Sequence, residues 1–231
     1  MDNIYTDGTY IKNNPDWGLK DSAWKANIIY SLLKKNNVTP KTIVEIGCGA
    51  GGILESLSYH LPNSTFDGYD ISPQAIKLAK QKEKHNLHFH NSERSNDNHE
   101  KAELLLVIDV IEHVTDYYNF LESIRSQGEY FVFHIPLDLS SRTILKPHVL
   151  LQQREAVGHI HYFSKEMVLW ALRDKNYTVM DWHYTKPVID TEPAHNFKRK
   201  IKKTLRNFSF AISKDISAKL WGGYSMLILA K

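Results

Sequence analysis

The chain has 231 residues, 11% of them aromatic, and 29 basic against 26 acidic side chains give a net charge of +3. That length suits one sizeable α/β domain with a small cap, the aromatic content favours an ordered chain over a disordered one, and so small a charge implies no nucleic-acid partner by itself. One cysteine, Cys48, rules out an intramolecular disulfide and fits a reducing compartment. The opening MDNIYTDGTY lacks the apolar core of a signal peptide, and no apolar run approaches the roughly 20 residues of a membrane helix, so a cytoplasmic protein is expected.

Residues 1–20, with Tyr5, Tyr10, Pro15, Trp17 and two glycines, read as an irregular arm. DSAWKANIIYSLLKKNN (21–37) follows: Asp21 or Ser22 can cap a helix in which Trp24, Ile28 and Leu32 recur at helical spacing. A regular alternation begins after Pro40. KTIVEIG (41–47) reads as a buried strand, AGGILESLSYH as a helix and STFDGYD (64–70) as a second strand. Ser72 and Pro73 form an N-cap and N1 pair opening the helix QAIKLAKQKEKH (74–85). LHFH (87–90), ELLLVID (103–109) and EYFVFHIP (129–136) are strands, with the helix TDYYNFLESIRS (115–126) between the last two. SKEMVLWALRDKN (164–176) is a helix capped by Ser164; YTVMDWHYT (177–185) and YSMLILAK (224–231) are the remaining strands. Such alternation predicts a parallel sheet with helices on both faces, whose ligands bind outside the carboxyl ends of the strands.

About 40 residues separate the last two strands and include FKRKIKKTLRNF (197–208). Six basic residues and no acid lie between Lys198 and Arg206; without them the chain has 23 basic against 26 acidic residues, net −3. Phe197, Ile201, Leu205 and Phe208 recur at helical spacing, which makes this an amphipathic basic helix. Three readings fit it: a solvated face on an inserted cap, which is favoured, attraction of an anionic substrate or nucleic acid, and peripheral contact with anionic lipid.

VEIGCGAGG (44–52) joins a strand to a helix, and Gly47, Gly49 and Gly51 permit a tight turn that a ligand can approach closely. The helix start offers unpaired amides and partial positive charge to a phosphate or carboxylate. Gly47, Gly49 and Gly52 also spell the dinucleotide pattern of an oxidoreductase, but Glu45 beside it suits a cationic ligand and poorly suits a pyrophosphate. Asp70, closing the second strand, can accept two ribose hydroxyls.

EIGCGAG and GYDIS together resemble the first two motifs of the class I S-adenosylmethionine-dependent methyltransferases, over roughly residues 40–185 and the final strand. The resemblance implies a Rossmann-like, seven-stranded, mostly parallel sheet whose last strand is antiparallel. It divides the chain into an N-terminal arm and helix (1–39), a cofactor-binding core (40–185), a basic helical cap (186–223) and a final core strand (224–231). It also implies that Glu45 and the loop Gly47, Cys48, Gly49 and Gly51 hold the methionine end. Asp70 would bind the ribose, Ile71 would flank the adenine, and Asn91 and Ser92 would reach its edge, although the family more often has an Asp near there.

DVIEHV (109–114) follows the apolar run LLLVI, so its charges end a strand and must be paired, ligated or exposed. Asp109, Glu112 and His113 are spaced i, i+3, i+4; if a helix begins here they share a face, a half-site for Mg²⁺ or Mn²⁺. His159 and His161 in GHIHYFS offer a further ligand. The segment resembles those of ubiquinone-pathway O-methyltransferases and of small-RNA 2′-O-methyltransferases. That resemblance implies Asp109, Glu112, His113 and His159 as metal ligands, with His161 as substitute. Without metal, His113 or His159 would be the general base. Helix-dipole compensation by Glu112 and a structural His113 are the alternatives.

Cys48 reads as a loop filler, and His85, His88, His90 and His99 as surface residues. His134 suits a substrate contact or packing equally, and Tyr5, Tyr10 and Trp17 suit a lid or ordinary packing. The expected activity is methyl transfer from S-adenosylmethionine to oxygen on a small anionic acceptor, such as a cell-surface sugar or phosphate-bearing precursor. The alternatives are RNA ribose 2′-O-methylation, a cofactor-binding regulator without turnover and, last, a nicotinamide oxidoreductase.

Overall fold

The computed structural model describes residues 2–5, 7–94, 100–191 and 197–231. After α1 (Thr9–Asn13) and α2 (Leu19–Lys35), strands and helices alternate: β1 (Thr42–Ile46), α3 (Gly52–His60), β2 (Thr65–Asp70), α4 (Pro73–Ala79), β3 (Leu87–Asn91), β4 (Ala102–Ile108) and α5 (Tyr117–Ile124). Next come β5 (Gly128–Leu137), α6 (Ser141–Leu145), α7 (His148–Val157), α8 (Lys165–Asp174) and β6 (Val179–Thr185). Then α9 (Pro187–Asp190), α10 (Phe197–Ile212) and α11 (Lys214–Trp221) precede β7 (Tyr224–Ala230). His99 lies outside the described residues.

The strands form one sheet in the order β3-β2-β1-β4-β5-β7-β6. The pairs among β3, β2, β1, β4 and β5 are parallel, and β7 lies antiparallel between β5 and β6. The seven-stranded Rossmann-like sheet with an antiparallel last strand is therefore as expected. The run LLLVI is explained by burial on both faces. Leu104, Leu106 and Ile108 pack under α2, α3 and α4, while Leu105 and Val107 pack under α5 and α8. A central strand whose side chains alternate between two cores has no polar face to show. Each fully buried leucine contributes about 1.5–3 kcal/mol.

Chain order reverses between β1 and β4, so their carboxyl ends diverge from a common crevice. Glu45 and the glycine loop follow one strand into it, and DVIEHV follows the other.

Three local expectations change. The helix expected over 115–126 begins at Tyr117, behind its cap Asp116, while residues 111–113 form a turn, so the condition for a shared face, a helix beginning at 109, is not met. Asp109 has φ +53, the left-handed region that aspartate tolerates better than most residues. The chain therefore breaks direction after β4, and Asp109, Glu112 and His113 do not share a helix face. The helix expected over 74–85 ends its α-helical part at Ala79, because KQKEKH offers no apolar residue to bury. The arm contains α1, and α2 starts behind Gly18; the Ser22 hydroxyl donates back to Gly18 O (3.0 Å) and caps nothing ahead of it. Among the described residues no helix is long and apolar enough to cross a membrane.

Candidate active site

A cleft of about 800 Å³ opens at the β1/β4 switch point, within the range of small-molecule sites (roughly 300–1,000 Å³). Its β1 side is built by the glycine loop. Gly47 has φ +74, and a Cβ there would lie 2.6 Å from Val110 Cγ2, so the loop and DVIEHV can pack together only with glycine at this position. Asp70 staples the loop to β2: its Oδ2 accepts Gly49 N (2.8 Å) and its Oδ1 accepts Ser72 N (2.8 Å). Each carboxylate oxygen keeps a lone pair for another donor. Burial raises the Asp70 pKa even so.

Glu45 is 1% exposed and its Oε2 has no hydrogen-bond partner. Burial pushes its carboxyl well above the usual range; Lys25 opposes this, and the charges of Asp70 and Asp109 add to it. Cys48 is buried, and burial raises its thiol well above the ordinary value, which suits a filler and not a nucleophile. Ile71 and Ser92 line the cleft with Cys48 and Gly49. Gly51 and Asn91 are not among the lining residues. Gly51 faces Phe89 and Ala79, and Asn91 Nδ2 donates to Asp70 O (3.0 Å).

On the β4 side, the two acids of DVIEHV have opposite surroundings. Asp109 Oδ1 meets His134 Nδ1 (2.6 Å) and Oδ2 meets Lys25 Nζ (2.8 Å), while Lys25 also pairs with Asp21 (3.0 Å). Burial opposes the Asp109 charge, but His134 and then Lys25 outweigh it and hold this carboxyl far below the usual range. Glu112 is fully buried and neither oxygen has a partner. Burial, then Asp109, drives its pKa well up.

Glu112, His113 and His159 come together: one ligand atom from each lies within 4.8 Å of the others. His113 Nδ1 meets Tyr5 Oη (2.8 Å) and Gly158 O (3.2 Å), and the Tyr5 hydroxyl donates to Val157 O (3.2 Å). That network is satisfied when Nδ1 carries the proton, which leaves Nε2 bare, 3.9 Å from Glu112 Oε1. His159 Nδ1 likewise donates to Asp138 Oδ2 (2.8 Å). Burial, then the neighbouring His159, lowers the His113 pKa to about 4, so its ring is neutral at neutral pH. Asp109 is not drawn into this trio. Nor is His161, whose Nε2 donates to Val114 O (2.9 Å) and whose backbone N donates to Glu112 O (3.1 Å), pinning loop 158–161 to the turn.

The aromatic arm lies along the cleft: Tyr5, Tyr10 and Trp17 line it, their rings in successive tilted contact at 5.0 and 4.6 Å. His134 also lines it, but both nitrogens are taken, Nε2 by Thr185 Oγ1 (2.9 Å). His85 and His88 are exposed, as expected of surface residues; His90 is half-buried, bonded to Asp67 and stacked on Tyr69. Sequence reasoning missed Lys25 and Asp138. Lys25 sits four residues after Asp21 on the helix face that buries Ser22, Ala26 and Ile29, an odd place for a lysine without partners. Asp138 directly follows β5, as Asp109 follows β4.

A family model described as "Methyltransferase domain" matches residues 20–181. The release factor glutamine methyltransferase of Enterococcus faecalis is 39% identical over 54 residues, which are 23% of this chain and 20% of that protein. Two solved structures share the fold. Magnesium protoporphyrin IX methyltransferase of Synechocystis PCC 6803 with bound SAH is 14% identical, with a TM-score of 0.60 over 90% of this chain and 82% of that one. A chain of the Haloferax volcanii complex between the Trm112 methyltransferase activator and a methyltransferase is 16% identical, with a TM-score of 0.65 over 97% and 94%. With the matched model spanning most of the sheet and the glycine loop at its switch point, the chain belongs to the methyltransferase-domain family and shares the fold of the methyltransferase solved with bound SAH.

Proposed function

We propose that the chain methylates an oxygen of a small anionic acceptor, with Glu112, His113 and His159 holding Mn²⁺ or Mg²⁺ beside it. The observation that carries this is Glu112, a carboxylate with no exposed surface and no partner on either oxygen. Such a group costs several kcal/mol unless it is neutralised or ligated. Two imidazoles with bare Nε2 atoms lie beside it, each oriented through Nδ1 as metal-binding histidines usually are. An ion there would lower the pKa of an acceptor hydroxyl. It would also offset a lining in which Glu45, Asp70 and Glu112 stand on one cleft wall after another, surroundings that otherwise repel an anion.

The residues fit the methyl donor. The partnerless Oε2 of Glu45 suits a cationic ligand, and the loop of Gly47, Cys48 and Gly49 leaves its backbone approachable. S-adenosylmethionine supplies, when bound, an electrophilic methyl on a sulfonium. Glu45 and the loop hold its methionine end, Asp70 its ribose, and Ile71 and Ser92 its adenine; Gly51 and Asn91 serve by shaping the loop and the end of β2. Were no ion bound, the bare Nε2 of His113 or His159 would instead take the acceptor proton as general base. Residues 1–39 act as arm and lid on the core 40–185, and 186–223 as a cap ahead of the final strand 224–231.

Titration of Mn²⁺ by electron paramagnetic resonance, with melting temperatures in S-adenosylhomocysteine, tests both halves. Wild type should bind one Mn²⁺, and Glu112→Gln and His159→Ala should lose it while all three gain stability from S-adenosylhomocysteine. Equal Mn²⁺ binding in all three removes the metal; no stabilisation removes the assigned donor site.

A further inference from the structure

The segment between β6 and β7 turns its apolar face away from the protein. Phe197, Ile201, Leu205, Phe208 and Ile212 run along one side of α10, each between 46% and 76% exposed. At 100° per residue they centre on the side away from Arg206 and Phe210, with Ser209 on the flank, and those three are what seats the helix. The Arg206 guanidinium donates to Gly222 O and Gly223 O (3.3 Å to the latter) over the Tyr224 ring, Phe210 stacks on Tyr224 at 5.2 Å, and Ser209 Oγ bonds Ser217 Oγ (2.8 Å). The helix is therefore anchored by the side away from the stripe. On α11, Ile216 and Leu220 extend the exposed stripe, at 59% and 49%.

Water on that stripe is costly: monomeric proteins rarely expose contiguous apolar patches beyond a few hundred Å². The charge beside it narrows the choice of what covers it. Residues 198–206 hold six basic side chains and no acid, in a chain that otherwise carries net −3. Nucleic acid would use the cations but leave the apolar stripe wet, and a second copy would bring like charge against like. A surface that is anionic at the headgroups and apolar just beneath satisfies both features at once.

We propose that α10 and α11 form an interfacial anchor that docks the enzyme on an anionic lipid surface. The apolar stripe enters the headgroup–acyl boundary, and the exposed Lys200 and Lys202 on its flanks meet lipid phosphates. Tyr224 opens β7, which runs antiparallel to β5 and β6, so its start lies at the carboxyl ends of those two strands. Ser225 and Pro187, at the two ends of the inserted segment, line the cleft. Docking thus brings the rim of the cleft to the membrane, where an amphiphilic acceptor would be met.

Sedimentation of the full chain with vesicles tests this without any acceptor. Phosphatidylcholine vesicles in which about a third of the lipid is phosphatidylglycerol should bind at least ~10-fold more tightly than phosphatidylcholine alone, and the difference should shrink at high ionic strength. Leu205→Ser/Phe208→Ser/Ile212→Ser should cut binding by ~10-fold or more, with the melting temperature and its rise in S-adenosylhomocysteine near wild type, since these side chains touch neither core nor cleft. Lys200→Gln/Lys202→Gln should weaken binding and flatten its salt dependence. Equal binding to both vesicles, or none, overturns the proposal. So does tighter binding to a single-stranded RNA than to the vesicles, or a dimer in sedimentation velocity that the triple substitution dissolves.

Discussion

The two walls of the cleft are built in different ways. On the β1/β2 wall, one strand–helix–strand unit supplies everything: Glu45, the glycine loop and Asp70, held by backbone bonds such as Gly49 N to Asp70. The β4/β5 wall is assembled from remote parts of the chain. Tyr5 reaches His113, Lys25 reaches Asp109, Asp138 orients His159, and Thr185 meets His134. Within that wall the contrast repeats on a smaller scale, since Asp109 is fully partnered and neither Glu112 oxygen has a hydrogen-bond partner. A satisfied buried charge holds the fold together, whereas an unsatisfied one burdens it and is better explained by what it binds.

The largest effect expected from this contrast is at Asp109. Asp109→Ala leaves the buried Lys25, whose side chain is 14% exposed, with Asp21 as its remaining carboxylate and takes the Nδ1 partner from His134, and loss of one partner of such a buried cluster costs about 3–5 kcal/mol. Urea unfolding at pH 7 measures it, and a loss under about 1 kcal/mol would mean the cluster relaxes freely. The pH dependence gives the sign. Asp109 is held ionised far below the usual value of 3.8, so its contribution is complete above that pH and is lost as pH falls below it. Wild type should therefore lose stability on acidification more steeply than the variant.

Glu112→Gln should do the reverse. With no hydrogen-bond partner to lose, its stability should change by under about 1 kcal/mol or rise, while methyl transfer falls by about 10²–10⁴. A large loss of stability with activity intact would make Glu112 structural and erase the contrast between the two acids. On the opposite wall, Asp70→Ala should weaken S-adenosylhomocysteine about 10–100-fold in calorimetric titration, the loss of charge-assisted hydrogen bonds. Unchanged affinity would show that the loop binds without it.

The smallest effect is at the arm. Tyr5→Phe removes one hydroxyl from His113 and Val157 and should cost about 1 kcal/mol, with a several-fold fall in turnover as His113 loses an orienting partner. If turnover is unchanged, Gly158 O alone fixes the imidazole.

Local pattern alone determined the α/β alternation, the glycine loop with its two flanking carboxylates, and the segment DVIEHV as a strand end. Those features arise from neighbours in sequence: a period of two or of 3.6, a cap, a turn that only glycine fits. Tertiary structure decided the rest. A φ of +53 at Asp109 ruled out the helix face that Asp109, Glu112 and His113 would have shared, and only packing showed that one acid finds Lys25 and His134 while the other finds no hydrogen-bond donor. The spacing of Phe197, Ile201, Leu205 and Phe208 fixed a stripe on a helix, but the seating of Arg206 on the start of β7 decided that the stripe faces outward. A repeat fixes which residues share a face; which way that face points depends on contacts between residues far apart in the chain.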